Sequence, residues 1–386
     1  MGRFLAIWLT ITALCWLVMG VLFAPMLPGG AATMGVIALA ATAPLLLLVR
    51  GMTRQTYPGR AVRLFVLRPF WYVQLMLPFA GFAGLAGLLV GAAAGAFRGA
   101  PWATAIWGGR AAVLILLVAA VVMFIAGYLG SRSLVVRRFT ARSPRLPAGF
   151  EGIRIVQLSD LHIGPHTPRG KLARIAAAVR DAQPDLIVLT GDLVDDYARD
   201  VEPFEAGLGR LEAPHGVLAI AGNHDVYAGW AAVREGLERQ GILVLVNDAI
   251  RLERNGDAIA VLGTGDPAGY HFTKRGGAAA APDVRRALDA ARAQVDDANG
   301  FVLALAHNPQ LWPPLQREGV ALTLSGHTHW GQLAIPGRWS LASPFLDHAM
   351  GAYVEAESVL YVHPGTNYWG LPFRLGTPPE VAVITL

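Results

Sequence analysis

Residues 153–164 read IRIVQLSDLHIG, an apolar stretch that runs directly into a carboxylate and an imidazole. We predict a short strand over Ile153–Leu158, with Asp160 and His162 at its carboxyl end. Downstream, short apolar stretches alternate with amphipathic ones, which predicts a layered α/β domain. The further predicted strands are Leu186–Leu189, Val217–Ile220, Ala258–Gly263, Phe301–Ala306 and Leu322–Leu324, and the predicted helices are Pro168–Gln183, Ala231–Arg239, Asp283–Ala293 and Gln310–Arg317.

Four of the later strands also end in polar clusters. Because α/β folds build their sites at the carboxyl ends of strands, we expect all five clusters to meet. Oxygen and nitrogen ligands suit Zn²⁺, Mn²⁺ or Fe, and the only cysteine, Cys15, lies in an apolar stretch, so a thiolate site is excluded. The four clusters are Gly191-Asp192-Leu193-Val194-Asp195, Gly222-Asn223-His224-Asp225, His307-Asn308 and Gly326-His327-Thr328-His329.

Seven of these side chains suffice for two adjacent metals if one carboxylate bridges them. Two metals about 3.5–4 Å apart can clamp a phosphoryl group and lower the pKa of a bridging water, which supplies a nucleophile at neutral pH. The pattern of side chains therefore predicts metal-assisted chemistry on a phosphate. His307 taken alone would be a satisfied core histidine, but the four other clusters favour a ligand.

In order, the motifs D-x-H, G-D-x-x-D, G-N-H-D, H and G-H-x-H resemble the calcineurin-like metallophosphoesterase superfamily, from about Ile153 to Leu386. Residues 157–164 and 325–332, with the ending from Pro364-Gly365 through Arg374 to Pro379-Glu380, resemble a bacterial subgroup of membrane-associated phosphodiesterases. One departure is Trp330, where Gly is more usual. We expect this residue beside the site, where it could alter the pocket wall. His363-Pro364 is a second departure, without an assigned effect.

The resemblance implies a role for each matching residue. Two divalent metal ions (Mn, Zn or Fe) would bind, and their bridging hydroxide would attack phosphorus. His224 would protonate or stabilise the leaving oxygen, and Asp225 would orient the His224 ring. The implied ligands are Asp160, His162 and His329 for the first metal, Asn223, His307 and His327 for the second, and Asp192 as the bridge.

Other polar residues near these motifs receive weaker assignments. Asp195 and Asp196 are expected not to bind metal: one should fix the loop around Asp192, and the other should be solvated. His166 could touch substrate, although a surface loop is an equal alternative. His215 is predicted to be a turn residue, and His271, His348 and His363 have no assigned role.

The first 150 residues have a different composition. They contain thirteen arginines, all 27 acidic residues of the chain lie from Glu151 onward, and no lysine or histidine precedes Glu151. Each of four apolar stretches is long enough to cross a hydrocarbon core of about 30 Å as a helix. These stretches run over Phe4–Phe23, Ala31–Val49, Trp71–Ala96 and Ala111–Leu129. A cleaved signal peptide is an alternative for the first stretch, although no clear cleavage site precedes Pro25.

The arginines predict the orientation of these helices. Five lie between the second and third stretches and five after the fourth, whereas the connection between the third and fourth has only Arg98 and Arg110. Because positive residues favour the cytoplasmic side, we expect both termini in the cytoplasm and a multi-pass protein of the cell inner membrane. We therefore predict an all-α transmembrane region of about four helices (1–130), a linker with a first strand (131–152) and an α/β/β/α metallophosphoesterase domain (153–386).

Together these features predict metal-dependent hydrolysis of a phosphoester, phosphodiester or pyrophosphate bond. A membrane tether raises the effective concentration only of a substrate in or on that membrane, so we expect a lipid-linked phosphate, such as a nucleotide-diphospho-lipid, at the cytoplasmic face. Membrane lipids are expected partners, and nucleic acid is not, because the domain is net acidic. The alternatives are a tethered phosphodiesterase for nucleotides or nucleic acid, and a receptor or transporter with an accessory phosphoesterase domain. The four stretches lack the ionisable groups of a proton or ion relay, which disfavours transport.

Overall fold

The computed structural model describes residues 2–54, 56–97, 99–208, 211–295 and 300–386. These residues form two compact units, of which the first ends at Ile125 and the second begins at Ala126. The helices that begin in the first unit are α1 (Gly2–Phe23), α2 (Gly30–Thr42), α3 (Leu45–Arg54), α4 (Arg60–Val62), α5 (Arg68–Ala96) and α6 (Pro101–Arg132).

Within the described residues, four helical segments are long and apolar enough to cross a membrane. They span Ala6–Met26, Gly30–Gly51, Arg60–Ala96 and Pro101–Arg132, and each contains one of the predicted stretches or most of it. The prediction of four long apolar helices is confirmed. Arg98, which entered the orientation argument, lies outside the described residues.

Helices α5 and α6 approach closely at glycine residues, which let two helix backbones come near one another. A Cβ atom added to Gly87 would collide with the carbonyl oxygen of Gly108, and one added to Gly91 would collide with the carbonyl oxygen of Thr104. A larger residue at either glycine would therefore push the two helices apart.

The described residues of the second unit form two six-stranded sheets and a short hairpin. Its helices are α7 (Arg169–Ala182), α8 (Glu202–Leu208), α9 (Asn223–Glu238), α10 (Ala268–His271), α11 (Val284–Arg292) and α12 (Trp312–Arg317). Its strands are β1 (Val135–Thr140), β2 (Arg154–Leu158), β3 (Leu186–Leu189), β4 (Val217–Ala219), β5 (Leu243–Val244), β6 (Asp248–Arg254), β7 (Asp257–Gly263), β8 (Val302–Leu305), β9 (Leu322–Ser325), β10 (Ala334–Ile335), β11 (Trp339–Ser340), β12 (Gly351–Glu355), β13 (Ser358–Val362) and β14 (Glu380–Thr385).

The two sheets have related topologies. One has the order β1-β14-β2-β3-β4-β5, the other has the order β12-β13-β9-β8-β7-β6, and β10 pairs with β11 alone. In the first sheet β2, β3, β4 and β5 run parallel, and in the second β13, β9, β8 and β7 do. The predicted strands are therefore confirmed to within one or two residues at their ends. Strand β1 pairs in parallel with β14, so the segment after α6 is part of the first sheet.

Alternate residues of each central strand face different layers. In β2, Ile155 packs into the core between the two sheets, whereas Val156 packs against the helices that cover the first sheet. Helix α11 covers the outer face of the second sheet. Because both faces of the central strands are buried, their sequences are continuously apolar, and the predicted α/β/β/α layering is confirmed.

The end of α6 is held by basic side chains of α7. Lys171 Nζ donates to the carbonyl oxygen of Ser131 at 3.0 Å, and Arg174 donates to that of Arg132 at 3.1 Å. The last carbonyl groups of a helix lack helical partners, and cations there satisfy them and offset the negative end of the helix dipole.

Candidate metal centre

The seven predicted ligands all follow strands at their carboxyl ends. Because β2, β3 and β4 are neighbours in one sheet and β8 and β9 are neighbours in the other, the two sheet edges bring them together. Asp160 and His162 follow β2, Asp192 follows β3, Asn223 begins α9 after β4, His307 follows β8, and His327 and His329 follow β9.

The backbone bends sharply at five of these residues. Asp160, His162, Asp192, His327 and His329 have φ values of 52°, 41°, 52°, 71° and 51°, in the left-handed region that side chains other than that of glycine rarely adopt. Each such residue costs about 1–3 kcal/mol, and such strain persists where the surrounding structure fixes the conformation. The turns aim consecutive side chains at one point, which an extended strand end would not do.

Asp160, His162 and His329 form the first group. His329 Nε2 lies 3.0 Å from His162 Nε2 and 3.2 Å from Asp160 Oδ1. One candidate ligand atom from each residue lies within 4.8 Å of the other two. Three buried donors converging in this way match the ligand set of a divalent cation.

The second group contains Asn223, His307 and His327. Asn223 Oδ1 lies 3.2 Å from His307 Nε2 and 2.8 Å from His327 Nδ1. His307 Nδ1 lies 2.7 Å from the carbonyl oxygen of Thr190, which can only accept, so Nδ1 carries a proton and Nε2 faces the centre. A hydrogen bond of this kind on the outer nitrogen is typical of metal-binding histidines.

Asp192 lies between the two groups. Its Oδ2 is 3.6 Å from His162 Nε2 and 3.4 Å from His307 Nε2, and its Oδ1 accepts the main-chain N–H of His224 at 2.8 Å. Burial would raise the pKa of the Asp192 carboxyl, but the neighbouring His307 ring holds it well below its usual range. Asp192 is therefore a carboxylate, and its Oδ2 lies near ring nitrogens of both groups.

The Asp192 carboxylate also draws a proton onto the His307 ring. Burial lowers the pKa of His307, but the Asp192 carboxylate outweighs burial and raises it well above the usual value. The pair therefore attracts a proton into the buried centre, and a divalent cation bound there would replace that proton. The residues therefore fit a divalent metal in two ways: their electrostatics attract a cation, and their carboxylate, amide and imidazole groups are suitable ligands.

Two glycines let the motifs approach one another. A Cβ atom on Gly222 would collide with the main-chain nitrogen and Oδ1 of Asp192, and one on Gly326 would collide with Ser159 Oγ and Asp160 Oδ2. The glycine that precedes each ligand motif is thus required by contact between loops from different strands.

His224 lies beside the centre, as predicted, but Asp225 does not orient its ring. The Asp225 carboxylate accepts main-chain N–H groups from Leu193 at 2.9 Å, Val194 at 3.1 Å and Gly222 at 2.9 Å. The His224 ring instead donates from Nδ1 to the main-chain carbonyl of Asp195 at 2.9 Å. The predicted role of Asp225 is wrong, because three buried N–H groups of the neighbouring loops compete for its two oxygens.

Asp195 has a larger role than the sequence indicated. Besides accepting from His224, its Oδ1 lies 3.5 Å from His162 Nδ1, on the side of the ring that faces away from the centre. Asp196 is exposed, as predicted for the solvated member of the pair. A carboxylate behind a metal-binding histidine raises the basicity of the ligand.

Arg374 was missed as a site residue. It is fully buried, donates to the carbonyl oxygens of His329 (3.0 Å), Pro364 and Asn367, and has one guanidinium nitrogen 2.7 Å from His329 Nδ1. Burial lowers its pKa to about 9. Its place in the C-terminal motif was the available signal, because a buried arginine needs several acceptors and this one collects them around a ligand.

Several other residues lie away from the predicted centre. Trp330 is not part of a pocket wall: its side chain is buried beside Trp312, and its Nε1 donates to the carbonyl oxygen of Val362 at 2.9 Å. His363 is fully buried and accepts the Gly365 N–H at 2.9 Å, and burial lowers its pKa to about 3. His348 packs between the rings of Trp312 and Tyr353.

The remaining histidines are peripheral. His215 lies in the turn before β4, as predicted, and His271 is exposed at the end of α10. The main-chain oxygen of His166 accepts from the Tyr368 hydroxyl at 3.2 Å. The described residues therefore give none of these three a place among the candidate ligands.

Two groups of carboxylate, amide and imidazole, one buried and one partly buried, lie on either side of one carboxylate at the edge of an α/β/β/α sandwich. This arrangement defines a metallophosphoesterase-type site. Comparison with known proteins agrees: residues 153–331 match the family described as calcineurin-like phosphoesterase. The chain belongs to that family.

The similar proteins include bacterial and vertebrate ones. The chain is 30% identical over 274 residues to an uncharacterized metallophosphoesterase of Aquifex aeolicus, covering 68% of this chain and 98% of that protein. It is 34% identical over 253 residues to a transmembrane protein with metallophosphoesterase domain of Danio rerio, covering 63% of this chain and 55% of that protein. The chain thus spans about half the length of its vertebrate relatives. One solved structure, the Thermus thermophilus sulfate thiohydrolase SoxB, matches with a TM-score of 0.38 and 17% identity over 62% of this chain and 57% of that one.

Proposed function

We propose that the chain is a membrane-anchored hydrolase of phosphoesters that acts with two divalent metal ions on a lipid-linked phosphate. Asp160, His162 and His329 would hold one ion, Asn223, His307 and His327 the other, and Asp192 would bridge them. Bound there, Mn²⁺, Zn²⁺ or Fe would supply an activated water and a clamp for the phosphoryl oxygens. The position of Asp192 Oδ2, within 3.6 Å of ligand nitrogens in both groups, supports the dinuclear assignment.

The residues around the centre have separate tasks in this proposal. His224 donates its Nδ1–H to the Asp195 carbonyl oxygen, which leaves Nε2 facing the centre. With a second proton on Nε2, the ring would act as the acid that protonates the leaving oxygen and would keep the Nδ1 proton throughout. Asp225 holds the loop that carries Asp192, and Arg374 holds the loop that carries His329. Neutral Asn223 leaves part of the metal charge uncompensated, which favours an anionic phosphate oxygen in place of a water.

An exposed aromatic rim beside His224, formed by Tyr227, Phe272 and Trp369, supports the proposal of a lipid-linked substrate. The ring centroids of Tyr227 and Trp369 lie 5.5 Å and 5.8 Å from that of His224. Phe272 packs against Tyr227 with the rings tilted by 58° and their centroids 4.5 Å apart. Tyr227 is 44% exposed, Trp369 50% and Phe272 51%. Large apolar rings left in water at the edge of a polar centre suit a substrate that joins an apolar group to a phosphate.

The rim continues into the β10–β11 hairpin. The Gln332 amide, just before β10, exchanges two hydrogen bonds with the main chain of Trp369, at 2.9 Å and 3.0 Å, which fixes the backbone that carries that ring. Beyond it, the hairpin and the segment that follows expose Ile335, Trp339 and Phe345. We infer that this apolar surface extends the binding region for the lipid part of the substrate.

The orientation of the chain is part of the proposal. The arginine distribution favours a catalytic domain on the cytoplasmic face of the inner membrane. A reporter enzyme that is active only in the periplasm, fused after Leu386, should be silent. A strongly active fusion would reverse the orientation.

An activity panel tests the reaction and the substrate class. Full-length protein in detergent with Mn²⁺ is assayed on lipid-linked pyrophosphates and phosphodiesters, on cyclic nucleotides and on a soluble chromogenic phosphodiester. We expect hydrolysis that favours the lipid-linked compounds, and Asp192→Ala should lose both bound metal and activity. Much faster cleavage of cyclic nucleotides would replace the lipid-linked substrate with the nucleotide alternative, and activity retained in Asp192→Ala would exclude this centre.

Rim variants separate the lipid contact from the chemistry. Trp369→Ala should raise KM for a lipid-linked substrate about tenfold, the order expected for loss of an aromatic contact, and leave the soluble phosphodiester nearly unaffected. Leu243→Ala, an exposed apolar residue on the edge strand β5, is the matched control and should change neither. An equal loss on both substrates would show that Trp369 supports the site and not the lipid.

A further inference from the structure

The helical unit contains a groove that the proposed reaction does not use. It has a volume of about 310 Å³ and is formed by the end of α1 and the first turns of α6. Val21 and Pro25 line it from one side, and Trp102, Ile106 and Trp107 from the other. The single charged residue in its lining is Arg110.

Arg110 is held in place by a neutral partner. Helix α1 ends at Phe23, so the carbonyl group of Leu22 is one of the last four that lack a helical donor. Arg110 Nε donates to that carbonyl oxygen at 2.7 Å. The contact depends on Gly109, where an added Cβ atom would collide with the Leu22 side chain. The guanidinium is therefore fixed at the groove, and its charge is left without an anion.

The sequence of the helical region cannot supply that anion. No Asp or Glu occurs before Glu151, whereas Arg110 lies well inside a helix that is apolar enough to span a membrane. A charged side chain in such a helix is costly unless it is paired or reaches the interface. Any anion that pairs with Arg110 accordingly comes from outside the helical unit.

The walls of the groove indicate which kind of molecule carries the anion that pairs with Arg110. Trp102 and Trp107 are 68% and 70% exposed, and tryptophan is enriched where a membrane meets water. Ile106, between them in sequence, gives the groove an apolar side that a free inorganic anion would not need. A ligand that fits carries a phosphate for Arg110 and an acyl chain for the apolar wall.

We propose that this groove binds one anionic phospholipid, with its headgroup phosphate on Arg110 and its acyl chains along Ile106 and Trp107. The guanidinium presents a fork of donors suited to phosphate oxygens, and the bond to Leu22 orients it before the lipid arrives. The proposal is independent of the reaction at the metal centre, because it concerns lipid retention alone.

Native mass spectrometry of the full-length protein tests the site. The protein is stripped of lipid in detergent and titrated with phosphatidylglycerol or with phosphatidylcholine. We expect one tightly retained phosphatidylglycerol, and Arg110→Gln should weaken its binding about fivefold or more, the factor that one basic residue contributes at an anionic lipid surface. Arg110→Lys should restore part of the affinity, and Arg54→Gln, at an exposed arginine that ends α3, should leave it unchanged. Equal binding by Arg110→Gln and Arg54→Gln would overturn the proposal.

A second measurement uses the unaltered protein, in case Arg110→Gln fails to fold. Phosphatidylglycerol with a photoreactive group near its headgroup should crosslink within residues 102–110, and labelling confined to other helices would exclude the groove. Excess inorganic phosphate should not displace the retained lipid. Displacement by phosphate alone would mean that the site binds a free anion, which also overturns the assignment to a lipid.

Discussion

His224 Nδ1 lies 2.9 Å from the main-chain carbonyl oxygen of Asp195. Since a carbonyl oxygen can only accept, the ring must carry a proton on Nδ1 and turn Nε2 toward the centre. The ring packs at 84° to that of His162, with centroids 4.6 Å apart, so its orientation is fixed from two sides. A main-chain acceptor holds this histidine, and side-chain substitutions nearby leave that acceptor in place.

His224→Gln should lower kcat about 10²–10⁴-fold, the usual contribution of a positioned acid, while metal content is retained. The reason is that the ring delivers a proton to the leaving oxygen and is not among the proposed ligands. The loss should be large for alkoxide leaving groups and small for a nitrophenolate, which leaves without protonation. Steady-state kinetics over a leaving-group series, with metal content measured on the same samples, checks both points. A uniform loss across the series would remove the acid role.

Asp225→Ala should destabilise the fold without acting through His224. Its carboxylate accepts three buried main-chain N–H groups, and each group left without a partner costs about 1–3 kcal/mol. We expect a lower melting temperature and a disturbed Asp192 loop. Asp225→Asn keeps one acceptor oxygen and should lie between Asp225→Ala and the unaltered protein. Unaltered melting of Asp225→Ala, with only proton transfer impaired, would restore the sequence-based role of this residue.

Asp195→Ala should weaken metal binding and spare proton delivery. The carboxylate lies 3.5 Å from His162 Nδ1, and loss of such an outer partner typically costs about 10–100-fold in metal affinity. The main-chain carbonyl that holds His224 remains, so activity should recover at saturating Mn²⁺. Metal titration followed by activity measures the affinity directly. Activity that stays low at saturation would show that the side chain, and not the carbonyl, positions the acid.

The sequence predicted which side chains would meet at the centre, because the topology of parallel strands determines where they go. Strand-end residues such as Asp160, Asp192 and His327 must meet once β2, β3 and β9 are placed, and the apolar runs locate those strands well. The choice of partner for Asp225 could not be predicted. It depends on whether a carboxylate faces an imidazole or three N–H groups of a loop, which differ by small displacements.

The positions of residues that reach the site from the C-terminal segment could not be predicted for a different reason. Arg374 and Trp369 lie in irregular structure between β13 and β14, where no periodicity predicts the direction of a side chain. Trp330 was misplaced because its φ of 50° turns its side chain away from His329 and into the core. Such residues are located by tertiary contacts alone.

Gly222→Ala should abolish metal binding by steric collision. Its Cβ atom would collide with Oδ1 and the main-chain nitrogen of Asp192, the proposed bridging ligand. Gly170→Ala is the matched control, because this glycine lies in the first turn of α7 with open space around its Cβ position. We expect Gly170→Ala to retain metal and to be neutral or slightly stabilising, since alanine is the better helix former. Equal metal content in the two variants would show that the loops can separate without loss of the centre.

The pH dependence of stability should report the buried ammonium group of Lys171. Its Nζ donates to the Ser131 carbonyl and lies 4.9 Å from the centre of the Tyr368 ring, and burial, with smaller contributions from Arg374 and Arg174, lowers its pKa to about 7. The unfolded chain keeps the ordinary lysine pKa near 10.4, so it binds more protons than the folded one between about pH 7 and pH 10. The free energy of unfolding should therefore rise with pH across that window, and the penalty for burying the charge is fully present below pH 7.

Lys171→Met removes this titration. The difference in melting temperature, variant minus unaltered protein, should therefore be largest below pH 7 and become smaller as the pH rises. The change across the window should be of the order of a few kcal/mol. The chain has only one other lysine, Lys274, which is exposed, so Lys274→Met is a close control. Thermal melting of the three proteins in detergent from pH 6 to about pH 10 gives the comparison. Parallel curves for Lys171→Met and the unaltered protein would mean that Lys171 titrates in the folded chain as it does in the unfolded one.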